Sequence, residues 1–122
     1  MALIFWVGIG GFLGAVLRFC VNMAVQKIAW HALVATLFVN VLGAFLIGVF
    51  FAVAIQKGVV TDAFKHFFVT GFLGALTTFS TFSYENFLLF ERQQFLMLFL
   101  NIFANVALCF FAVALAKSTV NL

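Results

Sequence analysis

Charged residues are scarce in this chain. Asp, Glu, Lys and Arg make up 7% of its 122 residues, whereas about a quarter of a soluble domain is charged. Apolar residues make up 67% of the chain, against roughly 45–50% in a typical globular protein. Because so few charges cannot solvate a surface, the composition excludes a soluble domain and predicts an integral membrane protein.

Basic patches, cysteine frameworks and proline are also lacking. The 6 Lys and Arg residues are scattered along the chain, which excludes a nucleic-acid-binding surface. The two cysteines, Cys20 and Cys109, lie in apolar stretches, where they behave as small hydrophobic residues. Since the chain has no proline, any break in a helix must come from other residues.

Residues that usually carry catalysis are few and dispersed. We recognise no triad, metal cluster or phosphate-binding loop among them, so the sequence indicates that the protein is not an enzyme. The histidines and acidic residues are His31, His66, Asp62, Glu85 and Glu91.

Apolar blocks alternate with short polar segments along the whole chain. A membrane-spanning helix needs ~20 apolar residues, and four blocks approach or exceed that length. The sequence therefore predicts an all-α integral membrane protein, with a single transmembrane domain over residues 1–122 and short loops near residues 27–31, 56–65 and 91–94. The predicted helices cover residues 3–25, 32–55, 66–90 and 95–117.

The third apolar block has an unusual centre. Gly71 and Gly74 are followed by a run of Thr and Ser residues, which is a poor helix sequence. In lipid, a freed backbone group costs several kcal/mol unless it meets protein, an ion or water. One interpretation is a helix broken between Gly74 and Thr78. The other is an unbroken helix whose hydroxyl groups bond back to carbonyl oxygens four residues earlier.

Small residues and loop charges bear on assembly. Small residues four positions apart allow helices to approach closely, and four short helices bury little surface, so we expect an oligomer. Positive charge is nearly balanced between the two sides, 3 residues against 2 or 3, which gives no firm orientation. Insertion in both orientations with antiparallel dimers would produce this balance, and so would a small protein oriented by other signals. The small pairs are Gly10 and Gly14, Ala44 and Gly48, and Gly71 and Ala75; the charges are Lys57, Lys65 and Lys117 against Lys27, Arg92 and, if it lies near the helix end, Arg18.

Uncharged polar side chains inside the apolar blocks form a candidate path. Asn40 stands in the middle of the second block, and Asn101 and Asn105 share one face of the fourth helix. Polar groups inside a membrane mark ion or substrate paths, or they hydrogen-bond helices to each other. The hydroxyl groups that extend this track are those of Thr77, Thr78, Ser80, Thr81 and Ser83.

Two charged and two aromatic residues flank this track. Arg18 either snorkels to the headgroups or provides an electropositive vestibule that concentrates anions. Glu85 lies either at a pore mouth or at a solvated helix end. Phe79 and Phe82 are three positions apart among the hydroxyl groups, and aromatic ring edges carry partial positive charge. Ring edges with amide and hydroxyl donors could hold a small anion without a cation that would trap it.

Three segments carry a resemblance to a known family: residues 10–19, 36–43 and 71–82, the last ending in Thr77-Thr78-Phe79-Ser80-Thr81-Phe82. Over essentially its whole length the chain resembles the Fluc (CrcB) family of fluoride channels. The resemblance implies four spans with a broken third helix, assembled as an antiparallel, dual-topology homodimer with two fluoride pores. It also implies a multi-pass protein of the cell (inner) membrane that passively exports fluoride and thereby lowers cytoplasmic fluoride.

The resemblance assigns roles to individual residues. Phe79 and Phe82 match the pore aromatics and Asn40 the pore amide, while the backbone carbonyls of Gly74 and Thr77 would hold a structural Na⁺ shared by both subunits. Many members carry Tyr and Ser where this chain has Asn101 and Asn105, so those two are assigned to the track by their spacing. The predicted fluoride pore comprises Asn40, Phe79, Phe82, Ser80, Thr81, Asn101 and Asn105, and the predicted vestibule comprises Arg18 and Glu85.

Two alternative functions remain open at this point. A small multidrug-type proton-coupled exporter is also four-helical and often has dual topology, but it needs a carboxylate in its first helix. The first helix here carries Arg18 and no acidic residue. A non-transporting assembly subunit would explain the small-residue packing but not the stripe of Asn and Ser residues.

Overall fold

A computed structural model describes residues 1–28 and 32–121, and the predicted loop residue His31 lies outside these ranges. The described residues are helical almost throughout, and no strand occurs among them. In chain order the helices are α1 (Ala2–Ile28), α2 (Ala32–Lys57), α3 (Asp62–Lys65), a π-helical segment (His66–Leu73), α4 (Gly74–Leu76), α5 (Phe79–Glu91) and α6 (Phe95–Val120).

Among the described residues, α1, α2 and α6 are long and apolar enough to cross a membrane by length and composition. Helix α5 has 13 residues, which correspond to a length of about 20 Å. The hydrocarbon core of a bilayer is about 30 Å thick. The third crossing therefore needs both α5 and the helical segments before it, and the predicted all-α architecture with a broken third helix is confirmed.

The break lies at two threonines. Thr77 has φ −80° and ψ 157°, and Thr78 has φ −148° and ψ 117°, so both are extended. Gly74 is helical, with φ −59° and ψ −35°. The Thr77 hydroxyl does bond back to the Leu73 carbonyl oxygen at 2.9 Å, as the unbroken alternative required, yet the helix ends there. The unbroken alternative is therefore wrong.

Helix α1 packs closely against the first half of the third span. A Cβ atom added at Gly10 would overlap the carbonyl oxygen of Phe67, and one added at Gly14 would overlap that of Phe72. Gly71 meets the backbone of α1 in the same way, at Val7 and Gly10. Only glycine allows this backbone approach, which explains the small residues at four-residue spacing.

Helices α2 and α6 form the second closely packed pair. Gly48 of α2 lies against Ala116 and Val113 of α6, where a Cβ atom would be tight. Near the ends of these helices, the Gln56 carboxamide donates to the Val120 carbonyl oxygen at 3.2 Å. Helix α5 contacts both members of this pair, so its first residues lie next to polar side chains of α2 and α6.

Candidate functional site

The break in the third span is held by one side chain of α2. The backbone N–H of Thr78 donates to Asn40 Oδ1 at 2.8 Å. Asn40 Nδ2 donates in turn to the Thr78 carbonyl oxygen at 3.2 Å. A single carboxamide thus contacts both backbone polar groups of Thr78, and the N–H is one that a continuous helix would have paired within itself. The third helix can open here in lipid because Asn40 supplies the replacement partners.

Three hydroxyl groups cluster where α5 begins. The Thr78 hydroxyl accepts the backbone N–H of Thr81 at 3.2 Å, which makes Thr78 the N-cap of α5. It also donates to Thr81 Oγ1 at 3.0 Å and lies 3.4 Å from Ser80 Oγ. Because Thr81 Oγ1 accepts from Thr78, its own hydroxyl hydrogen remains a donor.

Carbonyl oxygens before the break lose their usual helical donors. Thr78 and Thr81 direct their N–H groups to Asn40 Oδ1 and Thr78 Oγ1, so the Gly74 and Thr77 carbonyls do not receive them as they would in a continuous helix. The neighbouring Ala75 carbonyl accepts from Arg18 Nε at 2.9 Å. The structure thus places Arg18 against the break.

Three further asparagines extend the polar contact of Asn40. Asn40 Nδ2 also donates to Asn105 Oδ1 at 3.1 Å. Asn105 Nδ2 donates to Asn101 Oδ1 at 3.2 Å and to the Asn101 carbonyl oxygen at 3.0 Å. Asn101 Nδ2 donates to Asn86 Oδ1 at 2.8 Å. The structure therefore joins Asn40, Asn105 and Asn101 through direct bonds and adds Asn86 of α5 to them; we call these four residues the asparagine chain.

Glu85 contacts α2 one helical turn from Asn40. The Thr36 hydroxyl donates to Glu85 Oε1 at 2.7 Å. The other carboxylate oxygen, Oε2, is buried without a partner among the described residues. In apolar surroundings a bare carboxylate oxygen is unfavourable, and a proton or a water molecule would satisfy it.

Phe79 and Phe82 lie side by side, with ring centroids 5.6 Å apart and planes inclined at 46°. Phe79 is 78% exposed in the single chain. Both rings line an open cavity of about 420 Å³ that also reaches Asn40, Thr78 and Asn105. Asn101 is connected to this cavity through Asn105, while Ser80 is exposed and Thr81 half-buried at the start of α5.

Sequence reasoning missed two residues of this site. Thr36 precedes Asn40 by four positions, so helical periodicity places both on one face of α2 and could have identified it. Asn86 has no such local signal, because its partner Asn101 lies on a different helix.

Comparison with known proteins gives a family and several relatives. Residues 5–117 match the family described as "CrcB-like protein, Camphor Resistance (CrcB)". A Campylobacter jejuni protein (serotype O:6, strain 81116) named "Fluoride-specific ion channel FluC" is 51% identical over 107 residues, which is 87% of each chain. A Nitratiruptor protein of that name is 50% identical over 109 residues, covering 88% of this chain and 83% of the relative. A Saccharophagus degradans protein of that name is 43% identical over 117 residues, covering 94% and 88%.

Proposed function

The chain belongs to the CrcB family, and from this premise we propose that it is a fluoride-selective channel through which fluoride leaves the cell passively across the inner membrane. The observation that carries the proposal is the break at Thr78, where a membrane span opens onto a cavity lined by Asn40, Phe79 and Phe82. The names of the relatives agree with it. The chain itself is a multi-pass membrane protein.

The cavity suits an anion that must be exchanged quickly. Its lining consists of uncharged residues, so no fixed cation would hold fluoride in a deep well. Partial positive charge comes from amide and hydroxyl donors and from the ring edges of Phe79 and Phe82. Several weak donors together can replace hydration water while still releasing the ion, as conduction requires.

A second copy of this chain is part of the proposal. Gly74, Phe79 and Ser80 are exposed in the single chain, and irregular backbone at membrane depth is tolerated only where protein or water covers it. A partner packed on this face would cover the break and close the cavity. The nearly balanced loop charges support an antiparallel arrangement of the two copies.

A structural Na⁺ also fits the break. The Gly74 and Thr77 carbonyl oxygens have lost their helical donors, and carbonyl oxygens are ligands that hard cations accept. When bound between two copies, the ion would offset the partial negative charge of these oxygens. Because only main-chain atoms would be ligands, Thr77→Ser should leave dimer stability in sodium unchanged, whereas Gly74→Val should disturb the exposed packing face. Equal dimer stability in sodium and in a large organic cation would argue against the ion.

Fluoride efflux from liposomes tests the proposed function. Liposomes containing only this protein and loaded with potassium fluoride should release fluoride to an external electrode once valinomycin carries the compensating potassium. Release should not require a proton gradient, which separates a channel from a proton-coupled exporter. Liposomes loaded with potassium chloride are the selectivity control. Efflux no faster than from protein-free liposomes would refute the proposal.

A further inference from the structure

The polarity of the asparagine chain is fixed by a backbone group. The N–H of Thr78 can only donate, so the atom of Asn40 that faces it must be the oxygen. Asn40 Nδ2 then faces two oxygens, the Thr78 carbonyl and Asn105 Oδ1. Turning the carboxamide over would set donor against donor and acceptor against acceptor. The orientation of Asn40 therefore dictates that of Asn105, then Asn101, then Asn86.

The hydrogens on the carboxamide nitrogens show where the asparagine chain ends. Each carboxamide nitrogen carries two hydrogens. Asn40 and Asn105 each place both on oxygens of the protein. Asn101 places one of its two on Asn86 Oδ1. No residue in the described part of the chain accepts from Asn86 Nδ2, so unused donors collect at the Asn86 end, two on Asn86 and one on Asn101.

These unused donors belong to side chains that are mostly covered by protein. Asn86 is 9% exposed and Asn101 8% exposed. The unpaired Asn86 nitrogen is not among the fully buried polar atoms of the described residues, so a small ion or a water molecule can reach it. The carboxylate of the adjacent Glu85 is turned to Thr36 of α2, whereas Asn86 is turned to α6. The unused N–H groups of Asn86 and Asn101 can be satisfied only by a hydrogen-bond acceptor. A small anion accepts hydrogen bonds and donates none.

We propose that Asn86 and Asn101 form a fluoride-coordinating site built from N–H donors and oriented by the Thr78 backbone N–H through the asparagine chain. The site lies about 12 Å along α5 from the break and is connected to the cavity residue Asn105 through Asn101. The inference rests on the proposed fluoride function and extends it to Asn86. Asn86 would thereby help to determine selectivity, because the fixed polarity presents only donors to the ion.

Substitution at Asn86 separates a donor role from a structural one. Asn86→Asp keeps the oxygen that accepts from Asn101 and nearly the same shape, but it removes both donors. Fluoride efflux should fall about tenfold or more, because hydrogen bonds to an ion are among the stronger ones. Asn86→Leu should lose at least as much. Gln56→Leu, which removes a carboxamide between α2 and α6 outside the asparagine chain, should conduct like the parent.

Parent-like conduction of Asn86→Asp, with loss only in Asn86→Leu, would show that the Asn86 donors are dispensable and would overturn the proposal. A binding measurement covers the case in which the variants do not fold. In parent protein with ¹⁵N-labelled asparagine in micelles, the Asn86 side-chain signal should shift with sodium fluoride and not with sodium chloride. No shift with fluoride means that only water satisfies these donors, and the proposal is wrong. Absence of efflux from the parent would refute the channel function, whereas this titration would still report on the site.

Discussion

Asn40 shows how one residue decides where a membrane helix can open. Its carboxamide has one acceptor and two donor hydrogens, and the structure uses all three, on Thr78 N–H, Thr78 carbonyl and Asn105. A residue with only acceptors would leave two of these partners unpaired, and a residue with only donors would leave one unpaired. The break therefore depends on an amide at this position rather than on polarity alone.

We expect Asn40→Asp to destabilise the protein despite its nearly identical shape. The aspartate still accepts from Thr78 N–H, but its second oxygen faces two other acceptors, each of which loses a donor. Unpaired buried groups cost about 1–3 kcal/mol each. Unfolding in mixed micelles with increasing denaturing detergent should therefore occur earlier for Asn40→Asp than for the parent. Coincident unfolding curves would show that the carboxamide donors are dispensable.

The two aromatic rings give a second prediction at this scale. Phe79→Ile and Phe82→Ile keep apolar bulk but remove the ring edges that would contact fluoride. Volume-conserving apolar changes usually cost less than about 1.5 kcal/mol, so folding and dimerisation should survive while fluoride efflux falls sharply. Phe103→Ile is a matched control, because Phe103 is 71% exposed on α6 and does not line the cavity. If both pore variants conduct like the parent, the rings only pack.

At the scale of elements, contact between α1 and the third span keeps the first half of that span in place. The two helices meet backbone to backbone at Gly10, Gly14 and Gly71. Such approach is favoured in membranes, where the hydrophobic effect does not drive helices together and van der Waals contact takes its place. The half-helix that ends at Leu76 is therefore positioned by glycines, and α5 by the polar residues of α2 and α6.

Two glycines of α1 should respond oppositely to alanine. Gly10→Ala places a methyl group on the Phe67 carbonyl oxygen, and such overpacking typically costs about 1–3 kcal/mol. Gly8→Ala meets nothing within 4 Å and should stabilise α1 by roughly 0.5–1 kcal/mol, because glycine is the poorer helix former. Thermal unfolding in detergent measures both. Similar shifts of the melting temperature for the two variants would mean that the contact is not tight in solution.

At the scale of the whole molecule, the single chain leaves its helix break exposed. Large apolar side chains are exposed along α1 and α6, as expected for surfaces in lipid, but the exposed helix break needs protein or water beside it. The arrangement of two copies proposed above would meet this requirement. It also makes a claim about topology that can be measured separately from conduction.

Antiparallel dimers require chains inserted in both orientations. A C-terminal tag on the parent protein should then be accessible from both sides of the membrane. Lysines added to the loop between α2 and α3 should shift the population to one orientation, because positive charge is retained on the cytoplasmic side, and efflux should fall with it. Accessibility of the parent's tag from one side only would exclude the antiparallel dimer.

Local sequence patterns by themselves predicted much of the structure of this protein. The low charge and the apolar blocks predicted a membrane protein with four crossings, since water-free surroundings leave the backbone few alternatives to helix. Three of the described helices are long and apolar enough to cross a membrane by themselves. Helical periodicity placed Asn101 and Asn105 on one face, and four-residue spacing identified Gly10 and Gly14 as packing residues. These features depend on residues within one or two turns of each other, which is the range over which sequence spacing reports position.

Only the tertiary structure decided where the third helix opens and what its polar groups bind. Propensity indicated a weak stretch from Gly74 onwards, yet Gly74 is helical and the break lies at Thr77 and Thr78. In lipid a backbone opens where another helix supplies hydrogen-bond partners, and here Asn40 supplies them. The bond from Asn101 to Asn86 joins separate helices in the same way. Such pairings are set by how the helices pack, which no local spacing encodes.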